Sequence, residues 1–322
     1  MDEFASKTLK RVRSVRTERL HLVSTANLPT PAMEQAAIVT GSKPPKTTML
    51  LRAVPPPEAA VVDEETDLVP GVYEGGLKVW ECSVDLIEYM LDRPEVYGPE
   101  KMAGKRVIEL GCGHGLPGVY ALRQGAHVVF TDYNREVLEH ATIPNVRANC
   151  PEALPSSLSI DTSGGRGGGM SAGQGSAQGV VNAGGRAAFY FGDWGGLPEM
   201  LADDGEERFD LILTAETLYT ATATVQIHRL IETLLAPGGH ALVAAKRYYF
   251  GCGGSCAHFK QLVAPPMACE TACVIDTGVA NIREVLLVSW GGGGGGAVTA
   301  TAGGGAGLTE AMHEDEEEDV QE

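Results

Sequence analysis

Seven short apolar runs mark the middle of the chain, and segments with helical spacing of apolar residues separate most of them. Continuous apolar runs of this length are typical of strands that are buried on both faces. These runs occupy residues 107–110, 127–131, 187–191, 209–214, 240–245, 269–276 and 284–290. Predicted helices occupy residues 82–91, 116–124, 134–140, 143–149, 224–235 and 255–263. The alternation predicts an α/β fold, a Rossmann-like seven-stranded mostly parallel sheet with helices on both faces and ligands at the carboxyl ends of the strands.

Composition sets the limits of this domain, which we place at residues 66–290. Residues 1–65 are rich in proline and lack sustained periodicity, so we expect most of this extension to be disordered. Residues 156–186 contain ten glycines and too few apolar side chains to pack, which predicts a surface insertion. Residues 291–322 pass from a glycine-rich segment into an acidic end, which we expect to be a disordered tail.

The charge of the chain indicates the kind of partner to expect. The 322 residues are 43% hydrophobic and carry a formal net charge of -17. An acidic domain repels bare nucleic acid and tolerates basic proteins, so we expect a basic protein substrate and no direct nucleic-acid binding by the core. We also expect a monomer. No run reaches the length of a transmembrane helix, so we expect no membrane partner.

The expected location follows from the cysteines and from the basic N-terminal cluster. Seven cysteines, an odd number without an apolar signal segment, predict reduced thiols in a cytoplasmic or nuclear protein. The basic cluster from Lys7 to Arg19 is consistent with a nuclear or nucleolar localisation signal, an organelle transit segment or a solvated tail. Two C-x-x-x-C pairs, at residues 252–256 and 269–273, leave a zinc site conceivable. Structural zinc prefers C-x-x-C, so we predict loop and strand thiols and no metal.

The first predicted strand runs into a glycine loop, R-V-I-E-L-G-C-G-H-G-L-P-G at residues 106–118. Glycines permit a tight turn and let backbone N–H groups approach a ligand. Gly113, Gly115 and Gly118 fit the dinucleotide pattern G-x-G-x-x-G, which alone is a weak signal. The same loop also resembles the first motif of class I methyltransferases that use S-adenosylmethionine (AdoMet). Asp132, at the end of the second strand, would accept the ribose hydroxyls of either cofactor.

Further motifs distinguish these alternatives. They are D-L-V-P-G-V-Y-E-G-G-L-K-V-W-E-C from residue 67, E-L-G-C-G-H-G, T-D-Y-N, P-N-V, G-D-W, L-I-L-T-A-E-T-L-Y and K-R-Y-Y-F-G, in that order up to residue 251. Together they resemble the protein-histidine N-methyltransferases, seven-stranded enzymes related to the family 16 protein-lysine methyltransferases. Two positions depart from the pattern: His114 stands where such loops usually carry a small residue, and Ala215 replaces a common serine. The resemblance implies AdoMet as cofactor and a histidine of a protein as methyl acceptor, with a large-subunit ribosomal protein as the expected substrate.

The resemblance also implies which residues hold the cofactor. Physical chemistry supports Asp132 as ribose acceptor, Asp193 as acceptor for the adenine amino group and Trp194 as a stacking surface, although Trp194 would also suit a loop anchor. Glu109 lies inside a buried strand and needs a partner there, which the resemblance places at the amino-acid end of the cofactor. The full implied set is Trp80, Glu81, Cys82, Ser83, Glu109, Gly111, Gly113, Gly115, Asp132, Tyr133, Asn134, Gly192, Asp193, Trp194 and Thr214.

Glu216 and Tyr219 have the D/E-x-x-Y spacing of the family 16 enzymes, and the resemblance implies that they face the transferring methyl group. An imidazole with a pKa near 6.5 is mostly neutral at pH 7, whereas a lysine with a pKa near 10.4 must first lose a proton. We expect Glu216 to hold the ring and to accept the proton left on its second nitrogen. Lys246 would line the substrate mouth, unless it is a surface lysine. A family 16 lysine methyltransferase and a non-catalytic interaction protein remain alternatives.

Overall fold

The computed structural model of the chain describes residues 75–154, 186–205, 208–278 and 281–291, together with the backbone of residues 18–19. The predictions for the extension 1–65, the insertion 156–186 and the tail 291–322 therefore fall almost entirely outside the described residues.

A single twisted sheet forms the centre of the described part. Its strands are β1 (Arg106–Leu110), β2 (His127–Asp132), β3 (Arg186–Phe191), β4 (Phe209–Ala215), β5 (Leu235–Lys246), β6 (Met267–Ile275) and β7 (Arg283–Trp290). The spatial order is β3-β2-β1-β4-β5-β7-β6, and the two-residue strand Glu18–Arg19 pairs antiparallel with the outer edge of β3. Strand pairs from β3 to β5 are parallel, and β7 runs antiparallel to β5 and β6. The predicted Rossmann-like, mostly parallel seven-stranded sheet is confirmed.

Helices cover both faces of the sheet. They are α1 (Glu81–Leu91), α2 (Pro94–Tyr97), α3 (Pro99–Met102), α4 (Leu116–Arg123), α5 (Arg135–Val137), α6 (Ile143–Asn149), α7 (Leu197–Asp203), α8 (Ala221–Leu234) and α9 (Cys256–Leu262). Within β4, Leu211 and Leu213 belong to the core that contains α1, α4 and α6, whereas Ile212 belongs to the core that contains α7, α8 and α9. Because both faces are covered, the strand is a continuous apolar run instead of an alternating one.

The segment after β2 differs from the prediction of two helices separated by a turn. A π-helical turn, Leu138–Thr142, joins α5 directly to α6. Pro144 stands in the first turn of α6 and has no backbone N–H to donate to the preceding turn. The helix therefore widens for one turn instead of breaking.

Strand β5 also begins earlier than the predicted residue 240. It starts at Leu235, which pairs with Phe209, and the pairing register shifts before His240 pairs with Leu211. The intervening Gly239 lies so close to β4 that an added Cβ would be 2.7 Å from the Asp210 carbonyl oxygen. The Pro-Gly-Gly segment is therefore an irregularity inside the strand. None of the helices in the described ranges is long and apolar enough to cross a membrane.

Candidate functional site

A cleft of about 360 Å³ lies at the carboxyl ends of β1, β2 and β4. This is the edge at which parallel α/β sheets hold their ligands. Gly111, Tyr133 and Glu216 come directly after the three strands and contribute to the wall of the cleft. The predicted site residues that line the cleft are Trp80, Ser83, Gly111, Gly113, Asp132, Tyr133, Asp193, Trp194, Glu216 and Tyr219.

The glycine loop has a backbone conformation that is unfavourable for residues with a side chain. Gly113 has a positive φ of 51°, and a Cβ on it would lie 3.0 Å from the carbonyl oxygen of Gly76. The Gly113 N–H donates to Oδ2 of Asp132 at 2.9 Å, and the Asn134 N–H donates to Oδ1 at 3.1 Å. One carboxylate therefore joins the loops after β1 and β2. Asn134 contributes through its backbone and does not itself line the cleft.

Glu109, which the resemblance places at the amino-acid end of the cofactor, does not line the cleft. It is 2% exposed, and its Oε2 accepts the backbone N–H of Gly118 at 2.8 Å. Burial raises the pKa of Glu109 well above its usual range, although the hydrogen bond from Gly118 acts in the opposite direction. The partner that this buried acid requires is thus the first turn of α4, behind the loop.

Glu81 and Cys82 also lie outside the cleft. The side chain of Glu81 is 57% exposed, and its Oε2 lies 3.7 Å from Arg283 Nη1 on β7. Cys82 is fully buried in the core, where burial and the charge of Glu216 raise the pKa of its thiol well above the usual range. Of the four consecutive residues predicted here, only Trp80 and Ser83 reach the cleft, because successive residues of α1 point in different directions.

Gly115, Gly192 and Thr214 support the cleft from behind its wall. Gly115 is the left-handed residue that begins α4. The Gly192 N–H donates to the carbonyl oxygen of Asp132 at 3.0 Å. Thr214 is fully buried, donates to the Leu110 carbonyl at 2.9 Å and bonds to the Thr217 hydroxyl at 2.6 Å. The Gly192 bond joins the ends of β2 and β3, and the Thr214 bond joins the ends of β1 and β4.

Unpartnered polar atoms converge on the cleft. Four buried side-chain nitrogen or oxygen atoms in the described part have no hydrogen-bond partner, and three of them belong to residues of the cleft wall: His114 Nδ1, Trp194 Nε1 and Glu216 Oε1. Buried polar groups are nearly always hydrogen-bonded in folded proteins. Their concentration in one cavity therefore identifies it as a binding site for a polar ligand.

Glu216, Tyr249 and Lys246 meet at one corner of the cleft. The Tyr249 hydroxyl donates to Glu216 Oε2 at 2.6 Å, and the Lys246 Nζ lies 3.7 Å from Oε1. Burial and the neighbouring carboxylate raise the pKa of Tyr249 above its usual range, so this hydroxyl remains a donor. Lys246 does not line the cleft itself, but its position beside Glu216 places it at the predicted site and not on the open surface.

Trp80 closes the corner from the side of α1. Its indole Nε1 donates to the Gly75 carbonyl at 3.0 Å, which folds the glycine pair at residues 75–76 into a fitted loop. The Lys246 Nζ lies 5.1 Å from the ring centroid of Trp80, and the Lys78 Nζ lies 4.6 Å from it. Two cations therefore contact one aromatic ring at the rim of the cleft.

The sequence interpretation missed several residues of the wall. They are Gly76, Lys78, Val79, Leu116, Ala215, Thr217, Thr222 and Gln226. Cys112 and His114, within the loop at residues 111–115 that the resemblance places against the cofactor, line the cleft as well. Most of the missed residues are neighbours of motif residues. Thr222 and Gln226 stand four residues apart on α8, where a polar pair opposite the buried face was a usable signal. Tyr249 was also missed, because K-R-Y-Y-F-G does not show which tyrosine points inward.

The cysteines of the two C-x-x-x-C pairs differ in their burial. Cys256 is buried, Cys252 is exposed, and Cys269 and Cys273 are partly buried. Within the described ranges, no group of three or more His, Cys, Asp or Glu side chains is arranged to hold a metal ion.

Comparisons with known proteins find protein methyltransferases. A family profile described as lysine methyltransferase matches residues 69–160. The chain is 37% identical over 230 residues to a histidine protein methyltransferase 1 homolog of Dictyostelium discoideum, covering 70% of this chain and 61% of that protein. It is 37% identical to the rat homolog over 218 residues (66% and 57%) and 33% identical to the Schizosaccharomyces pombe protein over 239 residues (69% and 66%). The chain thus spans less than two thirds of the length of these relatives.

Proposed function

This chain belongs to the histidine protein methyltransferase family, and we propose on that premise that it transfers a methyl group from AdoMet to an imidazole nitrogen of a histidine in a protein. The observation that carries the proposal is the buried Glu216 Oε1, which has no hydrogen-bond partner, lies 3.7 Å from the Lys246 ammonium group and stands in a cleft with two further unpartnered polar atoms. A carboxylate in this state is a ready acceptor for an N–H group of an incoming ring.

The residues of the cleft fit AdoMet. Asp132, Asp193 and Glu216 give it an acidic lining, which favours a cationic ligand. Asp132 would hold the ribose hydroxyls, and Asp193 with the half-buried Trp194 would hold the adenine. When bound, AdoMet supplies an electrophilic methyl group on a positively charged sulfur. The nicotinamide alternative has no support in the family comparisons.

The mechanism follows from the position of Glu216. A neutral imidazole nitrogen forms the new nitrogen–carbon bond while the methyl group leaves its donor, and the electron pair of the broken bond stays on the donor. The ring then carries a positive charge, and its other nitrogen must lose a proton. Glu216 Oε1 would orient that N–H before the reaction and accept the proton afterwards. The hydrogen bond from Tyr249 to Oε2 keeps the carboxylate aimed at the ring.

The substrate that we propose is a basic protein of the large ribosomal subunit, which the enzyme would modify as a monomer in the cytoplasm or nucleus. The net charge of -17 supports a basic client, since an acidic enzyme attracts it at long range. The family resemblance of the sequence motifs supports the ribosomal assignment.

The test uses the full chain, isotopically labelled AdoMet and purified large and small ribosomal subunits. Mass spectrometry of the digests should find N-methylhistidine in a large-subunit protein. Methylhistidine in other proteins alone would overturn the ribosomal assignment and leave the reaction intact. The family profile described as lysine methyltransferase favours a second candidate, so methyllysine as the sole product would replace the histidine assignment. AdoMet binding without any transfer would instead indicate a non-catalytic binding protein.

A further inference from the structure

We propose that Lys246 determines the specificity of the methyl-transfer site by excluding lysine side chains and admitting neutral imidazole. The inference rests on the proposed methyltransferase function and concerns which acceptor that function can use.

Lys246 places a positive charge beside the Glu216 carboxylate. It is the last residue of β5, its side chain is 17% exposed, and its Nζ lies 3.7 Å from Glu216 Oε1. The same Nζ lies 5.1 Å from the ring centroid of Trp80 and 6.0 Å from that of Tyr249. A carboxylate and two aromatic rings together form an environment that stabilises an ammonium group.

A methyl-accepting lysine would require this same environment. Its ammonium group would have to approach Glu216 in order to lose a proton, and there it would meet a second ammonium group at short range. Repulsion between like charges is strong where little solvent screens them, and the Glu216 side chain is only 4% exposed. A neutral imidazole enters without such repulsion and donates its N–H to Glu216. It becomes charged only on methyl transfer, when Glu216 accepts the proton of its other nitrogen.

Lys78 provides a matched control. Its Nζ lies 4.6 Å from the centroid of the same Trp80 ring, but the residue is exposed. A Lys78→Met variant removes one positive charge from the rim of the cleft while Lys246 and Glu216 remain as they are. A general effect of charge on substrate capture would appear in both variants, whereas an effect on acceptor choice would appear only at Lys246.

The experiment compares four full-length proteins, wild type, Lys246→Met, Lys246→Arg and Lys78→Met, on proteins extracted from large ribosomal subunits with labelled AdoMet. The measured quantity is the ratio of methyllysine to methylhistidine in the digest. We expect Lys246→Met to raise this ratio by about tenfold or more, since one close like charge has been removed. Lys246→Arg, which keeps the charge, should keep the wild-type ratio. Lys78 lines the cleft, so Lys78→Met is compared through the ratio and not through the yield, and its ratio should equal that of the wild type.

Two results for Lys246→Met would overturn the inference, and one result for the wild type would overturn it together with the proposed reaction. One is an unchanged ratio in a Lys246→Met protein that still forms methylhistidine. The other is loss of methylhistidine in Lys246→Met with no methyllysine above the wild-type level, which would make Lys246 a residue needed for transfer and not for choice. A wild-type protein that forms methyllysine alone would overturn both this inference and the proposed histidine reaction. Methylhistidine in the wild type with an unchanged ratio would overturn the inference alone.

Discussion

Glu216 combines a left-handed backbone with a buried carboxylate. Among the residues that the structure describes, it is the one non-glycine residue with a positive φ, at 60°. A left-handed conformation costs a long side chain roughly 1 kcal/mol or more, and such strain collects at functional sites. The Glu216 N–H donates to the Ala244 carbonyl at 2.9 Å, which holds the turn against this strain. The backbone at the end of β4 is therefore arranged to aim this side chain.

Replacement of Glu216 by Gln tests its role as proton acceptor. The amide preserves the shape but cannot accept a proton, so we expect turnover to fall by about 100-fold or more, within the range of general-base contributions. Binding of S-adenosylhomocysteine, measured by calorimetry, should stay within about threefold of wild type. Glu232→Gln, on the exposed face of α8, is the control and should keep full turnover. Equal activity of the two variants would remove Glu216 from the mechanism.

His114 makes stability depend on pH. It is 5% exposed, and burial lowers its pKa to about 4. A hydrogen bond to the backbone of Gly76 raises the pKa, but by less than burial lowers it. The unfolded chain therefore binds a proton at higher pH than the folded one does. The contribution of His114 to the free energy of unfolding is therefore fully present above about pH 6.5 and is lost as the pH falls from about 6.5 to about 4.

A His114→Gln variant should not show this decrease in stability at low pH. Between pH 7 and pH 5 the histidine contributes a decrease of about 2 kcal/mol in the free energy of unfolding, as the shift in pKa implies. Urea unfolding of both proteins at the two pH values measures the difference. Other groups change with pH in both proteins and cancel in the comparison. Parallel pH profiles for wild type and variant would show that His114 is protonated in the folded state.

At the scale of elements, the contact between β1 and α4 sets the position of the glycine loop. Gly118 lies in the first turn of α4, and an added Cβ would be 2.6 Å from Glu109 Oε2 and would collide with the Phe130 ring. Any side chain here would push the helix away from the sheet, and the loop would move with it.

Gly118→Ala should therefore destabilise the protein by about 1 to 3 kcal/mol, the usual cost of overpacking. The direction of this change in stability is informative, because Gly→Ala within a helix otherwise stabilises a protein by up to about 1 kcal/mol. Thermal or urea unfolding measures it. A variant as stable as wild type would mean that α4 and β1 separate without cost.

The elements also show what the sequence could and could not predict. Strands β1 to β4 were predicted to within one residue at each end, because burial on both faces leaves an uninterrupted apolar run. Helices α2, α3 and α7 are four to seven residues long, too short for a periodic pattern, and they were missed. The loop residues next to strand ends were found through motifs. The direction of Tyr249 was not, because it depends on the turn that pairs Tyr249 N–H with the Gly254 carbonyl.

At the scale of the whole molecule, the order of the strands follows from no local pattern. Insertion of β7 between β5 and β6 places the last strand of the described residues inside the sheet, and the sequence analysis predicts no strand order. Arg283 secures it: its guanidinium forms a buried pair with Asp85 of α1, 198 residues away in the chain.

The glycine-rich insertion should be dispensable for this architecture. Replacing residues 156–184 with a short flexible linker should change the melting temperature by no more than a few degrees, since loop length affects stability only logarithmically. Differential scanning calorimetry of the two proteins measures the change. A decrease of about ten degrees or more would show that the insertion packs on the domain.

The three unpartnered polar atoms of the cleft affect the stability of the protein and its resistance to proteolysis. Each buried group without a hydrogen bond costs about 1 to 3 kcal/mol, so the protein is least stable when its cleft holds no ligand. A ligand at 100 times its dissociation constant would add about 2.7 kcal/mol. We therefore expect S-adenosylhomocysteine to slow proteolysis of the wild type and to protect Asp132→Ala much less at the same concentration. If the proposed function holds, a shortage of methyl donor would lower the amount of this protein as well as its activity.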